Sequence, residues 1–171
     1  MTRLLTLTVL LLAATAASAG ASSTSASCTG SQLSGTFAGV AGSAGAGNIS
    51  YRLVLKNVSS RECQLSGLPQ GRLLGKTGKP LPTQVRAAFP GALTAILVRL
   101  APGRKAYATA RFSPDVPGPG EPVAGRNCEP VSYWFRVSAQ GGGTVKAKIT
   151  PPTPVCEHGR LLFSAYGIKA S

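Results

Sequence analysis

The stretch SYWFRVSAQGGGTVKAKIT, residues 132–150, decides the fold class. Tyr133, Phe135 and Val137 alternate with Trp134, Arg136 and Ser138, and Val145, Ala147 and Ile149 alternate with Thr144, Lys146 and Lys148. A period of two sends one set of side chains to a core and the other to water, whereas an amphipathic helix needs a period of 3.6. Gly141-Gly142-Gly143 between the two runs supplies a backbone free to double back. The segment therefore reads as two strands joined by a glycine turn.

The same alternation recurs outward from this hairpin. Ile49, Tyr51, Leu53 and Leu55 alternate with Ser50, Arg52, Val54 and Lys56, and Ala106, Ala108, Ala110 and Phe112 with Lys105, Tyr107, Thr109 and Arg111. Further strands are expected over 93–100 and 161–168. Turns are dense: the Gly39–Gly47 loop, Thr77-Gly78, Ala101-Pro102-Gly103, and a proline- and glycine-rich crossover from Pro114 to Gly125. Pro151 to Pro154 is expected to stop the Thr144–Thr150 strand, because proline cannot donate to a ladder. Short strands at this spacing predict an all-β fold, an antiparallel immunoglobulin-like β-sandwich over residues 28–171.

Toward the N-terminus the pattern changes. A positive start at Arg3, an apolar run from Leu4 to Ala16 and the small residues Ala17-Ser18-Ala19 form a secretory signal peptide over residues 1–19. Residues 20–27, GASSTSAS, read as a flexible linker. Cys28 lacks the Leu three positions before it that a lipidation signal would carry, so it opens the folded domain. The protein is expected to be secreted, extracellular or associated with the cell wall, with no transmembrane segment after cleavage.

Export places the four cysteines in an oxidising compartment. Four cysteines allow three pairings, and the pairs nearest in sequence, Cys28–Cys63 and Cys128–Cys156, are favoured. Each loop closed in this way stabilises by about 3–4 kcal/mol in the chain-entropy model. The alternative, a metal site using Cys156 and His158, has no recognised ligand spacing. No metal and no cofactor is expected.

The charge balance is lopsided, with 18 Lys+Arg against 5 Asp+Glu. Cleavage after Ala19 removes only Arg3, which leaves 17 basic against 5 acidic residues, net +12. The basic residues are scattered rather than clustered with aromatics, so nucleic-acid binding is not expected. Most fall on outward strand positions, where solvation alone accounts for many of them. Outside the cytoplasm the polyanions within reach are envelope polymers and anionic membrane surfaces. The candidate binding surface is Arg52, Lys56, Trp134, Arg136, Lys146 and Lys148, with Tyr107 or Tyr166 as aromatic neighbours of Trp134. A rival reading makes Trp134 the anchor of an apolar docking edge in a larger exported complex.

Catalytic sets are sparse. His158 is the sole histidine and Asp115 the sole aspartate, and no G-x-S-x-G elbow frames a serine. Paired-carboxylate chemistry would need two of Glu62, Asp115, Glu121, Glu129 and Glu157 to converge, and all five read as solvated loop residues. The expectation is a protein that is not an enzyme, with a cryptic hydrolase near His158 as the weaker alternative. GVAGSAGAG lacks the Gly-Lys-Ser/Thr and the helix of a phosphate loop. Asn48-Ile49-Ser50 and Asn57-Val58-Ser59 match glycosylation sequons, although both asparagines sit where turn residues belong.

One resemblance spans the folded region. Cys28, LVLKN (53–57), CQLSGLP (63–69), LLGKTGKPL (73–81), LAPGRKAYATARF (100–112), Cys128 and TPPTPVC (150–156) occur in the order of a known family. The chain resembles the secreted actinobacterial family called domain of unknown function 4232. Lys56 stands where Thr is usual, and Leu68 where an aromatic is common. The resemblance implies an exported, disulfide-linked β-sandwich, and it supplies no catalytic residues.

Overall fold

A computed structural model describes residues 25–90, 97–123 and 127–169. The signal peptide over 1–19, most of the 20–27 linker and part of the strand expected over 93–100 lie outside the described residues.

Among the described residues the chain is built of strands: β1 (Leu33–Gly39), β2 (Ile49–Asn57), β3 (Cys63–Leu65), β4 (Gln70–Leu74), β5 (Gln84–Ala87), β6 (Val98–Leu100), β7 (Lys105–Phe112), β8 (Ser132–Ser138), β9 (Thr144–Thr153) and β10 (Arg160–Phe163). Eight form one sheet in the order β4-β8-β9-β1-β2-β7-β10-β5, while β3 and β6 pair separately. The expected hairpin is present, with Gly142 and Gly143 at positive φ and the Ala139 amide donating to the Gly143 carbonyl.

The sheet curls on itself. Phe135 of β8 and Phe163 of β10 stack at 5.5 Å although four strands separate them in the sheet, and Phe37 of β1 packs on both at 5.6 and 5.8 Å. The two edge strands nearly meet. The Leu81 amide donates to the Leu73 carbonyl, the Leu73 amide donates to Thr83 Oγ1, and from there the chain enters β5. The result is a nearly closed, barrel-like sheet around one apolar core.

Two pairings correct the antiparallel expectation: β1 with β9 and β10 with β5 run parallel. Parallel neighbours need a long crossover, and more than a hundred residues separate β1 from β9. Close approach at this pairing is set by Gly35, where a Cβ would lie 3.1 Å from the Ala147 Cβ and 3.2 Å from Leu55 Cδ2.

The expected stop at Pro151 is also corrected, because β9 continues to Thr153. A register shift in β8 carries the pairing from Trp134↔Lys148 directly to Ser132↔Thr153. Pro151 and Pro152 fall in the skipped stretch, where β8 asks for no amide donor. The Thr150–Pro151 bond is cis, and Tyr51 donates its hydroxyl to the Pro151 carbonyl at 2.9 Å.

Both disulfides join the cysteines nearest in sequence, with Cα–Cα distances of 4.8 Å for Cys28–Cys63 and 5.4 Å for Cys128–Cys156. Because Phe37 lies between the two arms of the curl, Phe37→Ala is expected to destabilise by about 3–5 kcal/mol in urea denaturation. Phe112→Ala, whose ring touches Tyr51 alone among the aromatic contacts, is expected to cost less.

Candidate functional site

The outer face of the sheet follows from strand alternation. On β9, Val145, Ala147 and Ile149 are buried while Lys146 and Lys148 are exposed. On β8, Phe135 and Val137 are buried and Trp134 and Arg136 are half-buried. Register then decides which cations meet. Arg72 of β4 lies opposite Arg136, and Arg136 lies opposite Lys146, so three cations form one row across three strands. Trp134 lies opposite Lys148, and the Lys146 ammonium sits 5.2 Å from the Trp134 ring centroid. Like charges directly opposite on neighbouring strands destabilise a sheet. None of these side chains forms an ion pair among the described residues.

Four of the six expected surface residues, Trp134, Arg136, Lys146 and Lys148, are thus brought together. Arg52 and Lys56 lie across β1 on β2. There Lys56 is opposite Lys105, and the two line a hollow of about 150 Å³ with Ser34, Thr36 and Val54. Arg72 escaped the sequence reading because β4 is short and lies next to the expected Thr77-Gly78 turn. Tyr166 is not part of any surface: it is buried in the core, and burial pushes its phenol far above the ordinary value.

A second cluster corrects the expectation that the acids are solvated loop charges. The disulfide brings Cys128 and its neighbour Glu129 against the turn Cys156–Gly159. In that turn Glu157 and His158 both adopt left-handed backbone, with φ of 56° and 57°. Neither is glycine, and each such residue costs about 1–2 kcal/mol. Their amides consequently point together at one carboxylate. Glu121, its side chain only 2% exposed, accepts from the amides of Glu157, His158 and Gly118. This is a nest of backbone donors filled by the protein's own anion. Burial alone would raise the Glu121 carboxyl, but the three backbone donors outweigh it and hold the group below the ordinary 4.5. Burial and the adjacent Glu121 carboxylate push Glu129 above that value, partly offset by His158. His158 Nδ1 lies 3.7 Å from both carboxylates.

The oxygens Glu121 would offer to a cation are already occupied by amides. Cys128 and Cys156, beside it, are oxidised and cannot ligate. What the cluster does chemically is hold the crossover segment at residues 118–121 onto the turn beside the disulfide. The proximity of Glu129 to His158 was legible from the Cys128–Cys156 pairing. The convergence of Glu121 on them depends on the crossover and carries no local signal.

Residues 28–162 match the family model described as Domain of unknown function (DUF4232). The chain belongs to that family. No curated protein and no solved structure matches it. The DUF4232 motif segments prove to be architectural here. Cys63–Leu65 pairs with Val98–Leu100. Asn57, whose side chain is fully buried, donates through Nδ2 to the carbonyls of Leu100 at 2.8 Å and Arg61 at 2.7 Å, while its Oδ1 accepts from the Ser59 amide and hydroxyl. Its backbone also exchanges bonds with Gly103 and Arg104. Asn57 is a structural amide, and in the folded protein it is closed to a glycan.

Two measurements follow from these sites. Asn57→Ala removes the side-chain donor from the buried Leu100 carbonyl and loosens the Arg61 turn, and is expected to cost roughly 1–3 kcal/mol in urea denaturation. The acidic pair has a pH signature. The lowered Glu121 contributes stability above pH 4.5 that is lost as pH falls through its folded value, whereas the raised Glu129 favours the protonated form and loses its contribution as pH rises through its own. Glu121→Gln should therefore lower stability at neutral pH and flatten the acid limb below pH 4.5. Glu129→Gln should leave neutral-pH stability equal to wild type or higher.

Proposed function

We propose that this protein is an exported, non-enzymatic binding module for anionic components of the cell envelope, built on an immunoglobulin-like sandwich. The observation that carries the reading is the row Arg72–Arg136–Lys146, with Lys148 and Trp134 beside it. Neighbouring strands lie about 4.8 Å apart, so the row offers regularly spaced cations along a line. A linear polyanion laid across the strands meets that spacing better than an isolated anion does. The cost of facing like charges is recovered when such a ligand neutralises them.

The sandwich reading is supported by β1, which pairs antiparallel with β2 and parallel with β9. A strand that hydrogen-bonds into both halves in this way turns the corner between two packed layers. Export is supported by the two disulfides, which persist in an oxidising compartment. The rival apolar-docking reading would use the same Trp134, which is half-buried with the Lys146 ammonium 5.2 Å from its ring centroid.

The test is binding of the purified protein to soluble polyphosphate and, separately, to phosphatidylglycerol vesicles. Binding is expected at about 20 mM salt and should fall steeply toward about 150 mM as screening shortens the reach of the row. Lys146→Glu/Lys148→Glu should weaken it while urea denaturation remains cooperative. Binding unchanged by that reversal, or insensitive to salt, would overturn the reading. A preference for polyphosphate over vesicles is expected, and the converse would assign the face to a membrane surface.

A further inference from the structure

At the start of β7, three cations converge on one concavity that the outer-face row does not include. Arg99, Arg104 and Lys105 line a hollow of about 270 Å³ together with Gly103, Tyr107 and Ile168. The lining contains no carboxylate. The volume lies just under the roughly 300–1,000 Å³ of drug-sized ligand sites, so it suits a small charged group with a short attached chain.

The concavity is held by a corner of the fold tied by a disulfide and several hydrogen bonds. Arg99 is the exposed middle residue of β6, whose neighbours Val98 and Leu100 are buried against β3. Leu100 lies opposite Cys63, which is tied to Cys28. The turn that follows closes with the Arg104 amide donating to the Ala101 carbonyl at 3.0 Å, and Gly103 adopts φ +78° there. Asn57 fixes this turn from below: its side chain donates to the Leu100 carbonyl, its amide to Arg104 and its carbonyl accepts from Gly103. On the other side, Tyr107 and Gly167 exchange backbone hydrogen bonds, both at 2.9 Å, and this places Ile168 on the rim. Two guanidinium groups and one ammonium are thus presented from a fixed frame, which lowers the entropy lost when they close on a ligand.

We propose that this hollow receives a single phosphate group carried on a small polyol or on a polymer of such units. Two arginines match the several acceptor oxygens of a tetrahedral anion, and Lys105 adds a point charge. The Tyr107 ring and Ile168 offer an apolar edge for the carbon chain. The proposal deepens the reading of an anion-binding module, but it stands on different residues, so the two can fail separately.

The experiment is an amide NMR titration of the purified, disulfide-bonded protein at low ionic strength. It is carried out with inorganic phosphate, with glycerol 3-phosphate, and with sodium chloride at matched ionic strength. Saturable shifts confined to Gly103, Arg104, Lys105 and Tyr107 are expected with both phosphates and not with chloride. Tighter binding of glycerol 3-phosphate assigns the site to phosphate on a polyol, and equal binding assigns it to free phosphate. Arg99→Ala/Arg104→Ala should weaken binding at least about tenfold through lost charge-assisted hydrogen bonds. The single Arg104→Gln serves as the milder variant if the double change disturbs the fold. Lys146→Glu/Lys148→Glu should leave these shifts unaltered. Shifts that match those from chloride, or that survive both arginine variants, would overturn the proposal. Polyphosphate binding that is lost only in the Lys146/Lys148 variant would then confine anion recognition to the outer row.

Discussion

The contact among Phe37, Phe135 and Phe163 is the constraint on which the rest of the structure depends. Eight strands in one sheet could lie open and leave a wide apolar face in water. Three rings from β1, β8 and β10 meet instead, and the sheet must curl for them to do so. Once curled, its inner face is buried by its own far end, and its edges β4 and β5 come within reach of each other through the Leu73–Thr83 bonds. The curl also turns the outward lysines of β9 to solvent. The basic residues therefore had one place to go, and strand register alone determined which of them became neighbours.

Much of this was legible in the sequence. The four alternating runs at 49–56, 105–112, 133–138 and 144–149 lie in β2, β7, β8 and β9, because each carries at least three apolar residues at a period of two. The strand β1, LSGTFAG, was not legible: only Leu33 and Phe37 are buried in it, and its remaining positions are small or polar. Its place is fixed by partners on both sides, a tertiary property. Strands β3, β4 and β5 are three to five residues long, too short for any period to show. The prolines of β9 signalled a strand end, and only the register shift in β8 explains why the strand continues.

The charged sites divide in the same way. Outward Lys146 and Lys148 were readable from alternation, but the row they join needed the β4 register. The acids are few, and three of them serve the crossover: Glu121 fills a nest, Glu129 lies beside it, and Glu157 reaches Arg160. With these acids drawn to the crossover, Arg72, Arg136 and Lys146 of the outer row form no ion pair among the described residues. The two features, an anion held inside and a cationic outer face, are therefore parts of one charge distribution.

The parallel pairing of β1 with β9 bears on when the fold can form. Residues 33–39 enter the chain early, yet one of their two ladders waits for Ala147 and its neighbours. Until that late segment arrives, half of β1 is an open edge and the phenylalanine cluster lacks the ring from β8. Loop closure over such a span is slow and cannot begin on a partial chain. A chain of this topology cannot complete the sheet until its C-terminal third, which carries β8, β9 and β10, is available. Topology thus sets when the sheet can close, however quickly any single hairpin forms.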